Sequence, residues 1–167
     1  MRKTRPYLIA EIGVNFYDTA HVLGIAPLDA AKLYIDKVAE TGIDCAKFQS
    51  YKAKTIVSKN SPAYWDVAKE PTKTQYELFL KHDSFGEFEY HELCKYTHSK
   101  GIDFTSTPFD YESADYLEDM VDFYKISSSD ITNLPFIRHI GAKGKPVIFS
   151  AGAAYLSEVD EAVRALK

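Results

Sequence analysis

Five short apolar runs, each followed by a stretch with helical spacing, restrict this chain more than any other feature. The runs are "YLIAEIG" (7–13), "DCAKFQSY" (44–51), "IDFTSTPFD" (102–110), "DFYKIS" (122–127) and "KPVIFSAG" (145–152). Between and after them stand "PLDAAKLYIDKVAETG" (27–42), "TQYELFLKH" (74–82) with "SFGEFEYHELCKYTHSKG" (84–101), "YESADYLEDM" (111–120), "NLPFIRHIGAKG" (133–144) and "LSEVDEAVRALK" (156–167). Pro27 near the start and Gly42 at the end of the first helical stretch are suitable boundary residues, and Ser157 is the expected N-cap of the last. Strands alternating with helices predict an α/β fold built on a parallel sheet. Residues 52–71 are polar and irregular and read as a long loop.

Two arrangements satisfy that order, an open doubly wound sheet or part of a TIM (β/α)8 barrel. Neither GxGxxG nor GxxxxGK[ST] follows a strand, which argues against dinucleotide and P-loop sites. Polar residues instead recur at the C-terminal end of every strand, where barrel enzymes build their sites. A complete barrel takes roughly 250 residues, so this chain corresponds to about the first five βα units of one.

Composition narrows the function. The 167 residues are 46% hydrophobic, enough for one core, and the net charge of −4 leaves no basic footprint for nucleic acid. No apolar run is long enough to span a membrane, and the N-terminal apolar stretch meets Glu11 too early for a signal peptide. Cys45 and Cys94 form no CxxC motif and read as reduced thiols of a cytoplasmic protein.

Side chains alternate along a strand, so residues at i and i+2 share a face. Lys47 therefore joins Gln49, Thr105 joins Thr107, Glu11 lies between Ile9 and Gly13, and Ile148 aligns with Ser150. Lys125 opposes Tyr124 and Ile126, with Ser127 to Ser129 beyond it. Two ammonium groups and several hydroxyls make a cage for phosphate or carboxylate, and a carboxylate with an amide suits a polyol. Taken singly, each residue has a plainer reading: an ion-paired strand-end lysine, Glu11 paired with a lysine, or serines capping the next helix. The repetition over five strands is what favours a site.

The runs "IAEIGVN", "AKFQSYKA", "GIDFTSTPFD" and "FYKISSSDITNLPFIRHIGAKGKPVIFSAG", with their spacing, resemble the N-acetylneuraminate (sialic acid) synthases and their legionaminate, pseudaminate and spore-coat polysaccharide relatives. The resemblance covers nearly the whole chain. It implies a TIM-barrel transferase that condenses phosphoenolpyruvate with an N-acetylated hexosamine such as N-acetylmannosamine. The products are a nine-carbon 2-keto acid and phosphate. It further implies that Lys47, Thr107, Lys125, Ser128 and Ser150 hold phosphoenolpyruvate. Glu11 and Gln49 would contact the amino sugar, with Tyr76 near its pocket; Glu11, Lys47 and Lys125 are the catalytic candidates. A divalent metal, Mn2+ or Mg2+, belongs to the complete enzyme.

The chain departs from the family pattern at three places. Phe16 stands where the family has His, followed by the insertion "YDTAHVLGIAP", and Ala151 replaces the Thr of "STG". The family's metal-binding histidines follow the fifth strand, so this chain is expected to contain no metal ligands, no remaining barrel strands and no C-terminal antifreeze-like domain. His21, His82, His91, His98 and His139 show no ligand spacing. Tyr64 and Trp65, in the long loop, are candidates to cover a sugar. Five barrel strands would leave open edges, so a homodimer or association with the missing barrel part is expected. The rival readings are a non-catalytic sugar-phosphate-binding module and a Schiff-base aldolase using Lys47 or Lys125.

Overall fold

The computed structural model describes residues 5–167. The elements in chain order are β1 (Ile9–Gly13), α1 (Phe16–Leu23), α2 (Pro27–Glu40), β2 (Cys45–Ser50), α3 (Ala53–Ile56), α4 (Gln75–Leu80), α5 (Glu87–Ser99), β3 (Asp103–Pro108), α6 (Tyr111–Tyr116), β4 (Tyr124–Ile126), α7 (Leu134–Ala142), β5 (Val147–Phe149) and α8 (Leu156–Ala165). All the paired strands run parallel. They do not form one continuous ladder: β1–β2–β3 make one hydrogen-bonded sheet and β4–β5 a second. The Thr105 hydroxyl donates to the Phe123 carbonyl at 3.2 Å and ties the first sheet to the chain entering β4.

Burial follows the period of the strands. Ala46, Phe48, Phe104, Tyr124 and Ile126 face the helices and are almost fully buried, joined by Ile35, Leu93, Leu117, Phe136 and Ile140. Phe48 stacks on Phe104 with ring centres 5.8 Å apart, and the Tyr124 hydroxyl donates to the Ala114 carbonyl at 2.7 Å, fastening β4 to α6. The opposite face carries Glu11, Lys47, Gln49 and Lys125, all less deeply buried, and Ile148 is exposed there.

The structure places one departure from the family pattern and changes two local expectations. The insertion after "GVN" is largely helical, as α1, and ends at Gly24, whose φ of 64° lets its N–H close back on Ala20. Phe16 is buried at its start, 4.9 Å from Phe85 between ring centres and 6.0 Å from Phe48, so it is a core anchor. Part of the expected loop after β2 is ordered as α3. Within it the Trp65 indole N–H is spent on the Glu70 and Thr72 carbonyls, at 3.1 and 3.2 Å, whereas Tyr64 is exposed. Finally, Ser157 lies inside α8. Leu156 is the first helical residue, and the Glu158 carboxylate accepts from the Tyr155 N–H at 2.8 Å to close the turn. Both cysteines are free and buried, and no described helix is long and apolar enough to cross a membrane.

The two sheet faces should differ in their tolerance of truncation. Phe104→Ala, on the helix-facing side, is expected to cost about 3–5 kcal/mol in urea unfolding. Ile148→Ala, on the open side, should change stability by no more than about 0.5–1 kcal/mol. The reverse order would put the core on the wrong face.

Candidate functional site

Register builds the first half of the site. Glu11 is aligned with Lys47, Lys47 with Thr105, and Gln49 with Thr107. The Lys47 ammonium touches the Glu11 carboxylate and donates to the Thr107 hydroxyl at 3.3 Å. The other Glu11 oxygen accepts from the Gln49 amide at 3.2 Å. Gly13 is needed for this arrangement. Its φ is +60°, and a Cβ there would lie 3.2 Å from both Gln49 Nε2 and Glu11 Oε1.

The second half rests on β4, β5 and the turns after them. The Lys125 ammonium donates to the Ser150 hydroxyl and to the Ile126 carbonyl, both at 2.6 Å. Ser128 opens a single 3-10 turn, Ser128–Asp130, capped by the Ser127 hydroxyl, which accepts from the Ser129 N–H. A Cβ on Gly152 would stand 3.3 Å from Ser128 Oγ, so the small residue allows the chain after β5 to approach that turn closely.

Charge couples the halves. Burial first, and then the Lys125 ammonium, push Lys47 down to about 8, while the half-exposed Glu11 carboxylate it touches works against that shift. Burial lowers Lys125 as well. Two partly desolvated cations on one face, flanked by hydroxyls, form an anion cage; Glu11 and Gln49 add acceptor and donor groups at its edge.

Beside Gln49 a cavity of about 360 Å³ extends to Gln75 and Phe79 on α4, Phe109 after β3, and Asp130 and Asn133 before α7. Asp130 and Asn133 stand just before α7. Asn133 makes no side-chain cap of α7; its amide turns to Asp130 Oδ1 at 3.4 Å. The second carboxylate oxygen of Asp130 is buried without a hydrogen-bond partner. Burial raises the Asp130 pKa, and the Asn133 and Ser129 side chains oppose that. Tyr76 does not line this cavity: it sits on α4 under the Lys59 ammonium, 5.9 Å from the ring centre, while its neighbours Gln75 and Phe79 do. The cavity residues missed in the sequence adjoin motifs that had been noticed, "TQYE" and "STPFD", but only folding shows which neighbour turns inward.

The loops around the site are pinned. Asp110 accepts from the Lys52 N–H (3.1 Å), the Thr55 hydroxyl (2.6 Å) and the Ser113 N–H (2.7 Å), joining the segments after β2 and β3. Among the described residues, no three His, Cys, Asp or Glu side chains gather into a group able to hold a metal ion. His82 and His139 pair with Asp18 and Asp115 instead.

Fold and site together define an α/β protein in which two lysines, hydroxyls, a carboxylate and an amide gather toward the C-terminal ends of parallel strands. Residues 34–167 match the NeuB family, and the chain belongs to that family. It is 37% identical over 164 residues to the N,N'-diacetyllegionaminic acid synthase of Legionella pneumophila, covering 96% of this chain and 44% of that protein. It is 28% identical over 162 residues to the N-acetylneuraminate-9-phosphate synthase of Homo sapiens, covering 96% of this chain and 43% of that protein. The crystal structure of the N-acetylneuraminic acid (sialic acid) synthetase of Leptospira borgpetersenii in complex with citrate superposes with a TM-score of 0.78 at 29% identity. That match covers 96% of this chain and 49% of the other. The chain thus spans less than half the length of these relatives.

The depressed Lys47 value has a sign that can be measured. Between about 8 and the ordinary lysine value of 10.5, the unfolded chain holds a proton that the folded one has released. Stability attributable to Lys47 therefore rises with pH through that window. Comparing wild type with Lys47→Met by urea unfolding should show this slope only in the wild type. NMR titration of the Lys47 side chain should give a midpoint near 8; a midpoint of 10.5 or above would contradict the burial argument.

Proposed function

We propose that this chain is the N-terminal part of a TIM (β/α)8-barrel sialic acid-type synthase, supplying about five βα units, the phosphoenolpyruvate cage and part of the amino-sugar site. The barrel reading is supported by the uncovered face. Parallel sheets are ordinarily covered on both sides; here the helices pack on one side, and the other carries the lysines, Glu11 and Gln49. The observation that carries the function is the convergence of Lys47 and Lys125 with Glu11, Gln49, Thr107 and Ser150 on that face.

In the proposed reaction Lys47 and Lys125, with Thr107, Ser128 and Ser150, hold the phosphate and carboxylate of phosphoenolpyruvate. Glu11 and Gln49 orient an N-acetylated hexosamine in its open-chain form. C3 of the enol attacks the aldehyde carbon, and the carbonyl electron pair moves onto oxygen, which takes a proton; Glu11, in contact with the Lys47 ammonium, is the group positioned to manage it. Water then adds at C2 and gives up two protons, one replacing that taken by the aldehyde oxygen and the other going to the departing phosphate. The C2–O bond to phosphate breaks, leaving a nine-carbon 2-keto sugar acid and phosphate. Burial of the lysines strengthens their hold on the anion as charge shifts toward the leaving phosphate. A divalent cation, Mn2+ or Mg2+, stays part of the proposal for the complete enzyme, as do a homodimeric or completed assembly and a cytoplasmic location.

The protein expressed from its whole gene, supplied with Mn2+, phosphoenolpyruvate and N-acetylhexosamines, should release phosphate and form a 2-keto acid. Lys47→Met and Lys125→Met should each lower kcat/KM by about 10²–10³. Absence of phosphate release with every amino sugar would sink the assignment. Binding of phosphoenolpyruvate without turnover would mark the non-catalytic sugar-phosphate-binding module. The lowered Lys47 value also favours testing a Schiff-base aldolase: a stable adduct after borohydride trapping with pyruvate would replace the present mechanism.

A further inference from the structure

Gln49 is held from behind the sheet as well as from the site. β2 runs on past its neighbour, for the last β1–β2 pair is Gly13 with Phe48. Successive carbonyls of a strand point to opposite edges. Ser50 gives its carbonyl to the Phe109 N–H on the β3 side, at 3.0 Å, so the Gln49 carbonyl points to the edge that β1 has left. The next N–H along that edge, that of Asn15, is turned back to the Ile12 carbonyl at 3.3 Å as the chain enters α1. The Tyr90 hydroxyl, reaching in from α5, supplies the donor that β1 does not, at 2.6 Å from the Gln49 carbonyl oxygen. Tyr90 is itself fixed. It is 3% exposed, its ring stacks on Tyr116 with centres 5.8 Å apart, and it meets Phe85 edge-on at 5.9 Å. Burial above all raises its pKa well beyond the ordinary tyrosine value, so the hydroxyl keeps its proton and stays a donor.

The side chain of the same residue works on the other face. Gln49 Nε2 donates to Glu11 Oε1 at 3.2 Å, and the second Glu11 oxygen touches the Lys47 ammonium. Backbone and side chain of one residue turn together, so a strand end free to twist would swing that amide away from Glu11. Resting on the synthase reading above, we propose that Tyr90 is a positioning residue of the reaction: from the helix side it locks Gln49, and through Gln49 it keeps Glu11 oriented beside Lys47. Lys125 and Ser150 belong to the other sheet and stand outside this line of contacts. Lys47 also has the Thr107 hydroxyl to hold it. The grip on phosphoenolpyruvate is therefore separable from the orientation of Glu11.

The test uses the protein from its whole gene with phosphoenolpyruvate, Mn2+ and N-acetylhexosamines, as wild type, Tyr90→Phe, Gln49→Leu and the double variant. Tyr90→Phe removes one oxygen and keeps the ring packed on Tyr116 and Phe85, so the fold is retained. It should lower kcat about tenfold while the KM for phosphoenolpyruvate stays within about threefold. In the Gln49→Leu background the same change should lower kcat by less than about twofold, because residues acting through one another are not additive. Tyr116→Phe is the control: it takes a hydroxyl from the same ring stack, one that donates to Ser113 Oγ at 3.2 Å, and should leave kcat unchanged. NMR titration of Lys47 reads the same positioning without turnover. With Glu11 less firmly held, the midpoint in Tyr90→Phe should fall below the wild-type midpoint near 8. An equal loss of kcat with and without Gln49, or an unmoved Lys47 midpoint, overturns the proposal and leaves the synthase reading standing. Phosphate release with no amino sugar overturns the synthase reading, and the Lys47 midpoint then decides by itself whether Tyr90 fixes Glu11.

Discussion

The alternation of side chains along a parallel strand is the constraint on which the rest of this molecule depends. In β2 it sends Ala46, Phe48 and Ser50 toward the helices and Lys47 and Gln49 to the other side. In β4 it splits Tyr124 and Ile126 from Lys125 in the same way. A shift of one residue in either strand would place an ammonium group among Phe104, Leu93 and Ile140 and move an aromatic ring to the open face. Desolvating two lysines is unfavourable, and the structure offsets it locally with Glu11 and Thr107 for Lys47 and with Ser150 for Lys125. In the proposed function the same groups are the walls of an anion site, so stabilisation and ligand binding would rest on one arrangement.

Around that arrangement, residues far apart in sequence are tied by a few polar contacts. Asp110 joins the chain after β3 to the segment after β2. The Lys52 ammonium donates to the Asp83 and Phe85 carbonyls, both at 2.7 Å, and holds the entry to α5. The Tyr17 hydroxyl accepts from the Phe85 N–H at 3.1 Å, so the inserted α1 is fastened to the same corner. Each contact gives a polar group a partner where the chain segments meet.

The helix–strand order, the parallel direction and the shared face of Lys47, Gln49, Thr105 and Thr107 were legible because each rests on a local period or a short motif. Membership of the NeuB family was legible for a related reason: its motifs sit at the strand ends, where backbone geometry and ligand chemistry restrict residue choice together. The break between β3 and β4 was not legible, since a missing ladder depends on how two strands lie in space. The role of Phe16 was hidden too, because its partners Phe48 and Phe85 come from distant segments. Ser157 looked like a cap, and Glu158 closed the helix two residues earlier on the Tyr155 N–H.

In "YKISSSDITN", the sequence by itself determined that Lys125 would oppose two buried apolar neighbours and that a turn would follow, because strand periodicity and serine chemistry act over a few bonds. Only the tertiary structure decided that Lys125 reaches Ser150 just after the next strand, and that Asp130, beside the cavity, keeps a buried carboxylate oxygen without a hydrogen-bond partner. The reason is physical. Which polar group is buried, and what remains to satisfy it, depends on the segments that close around it, and α4, β3 and β5 arrive from 17 to 55 residues away in the chain.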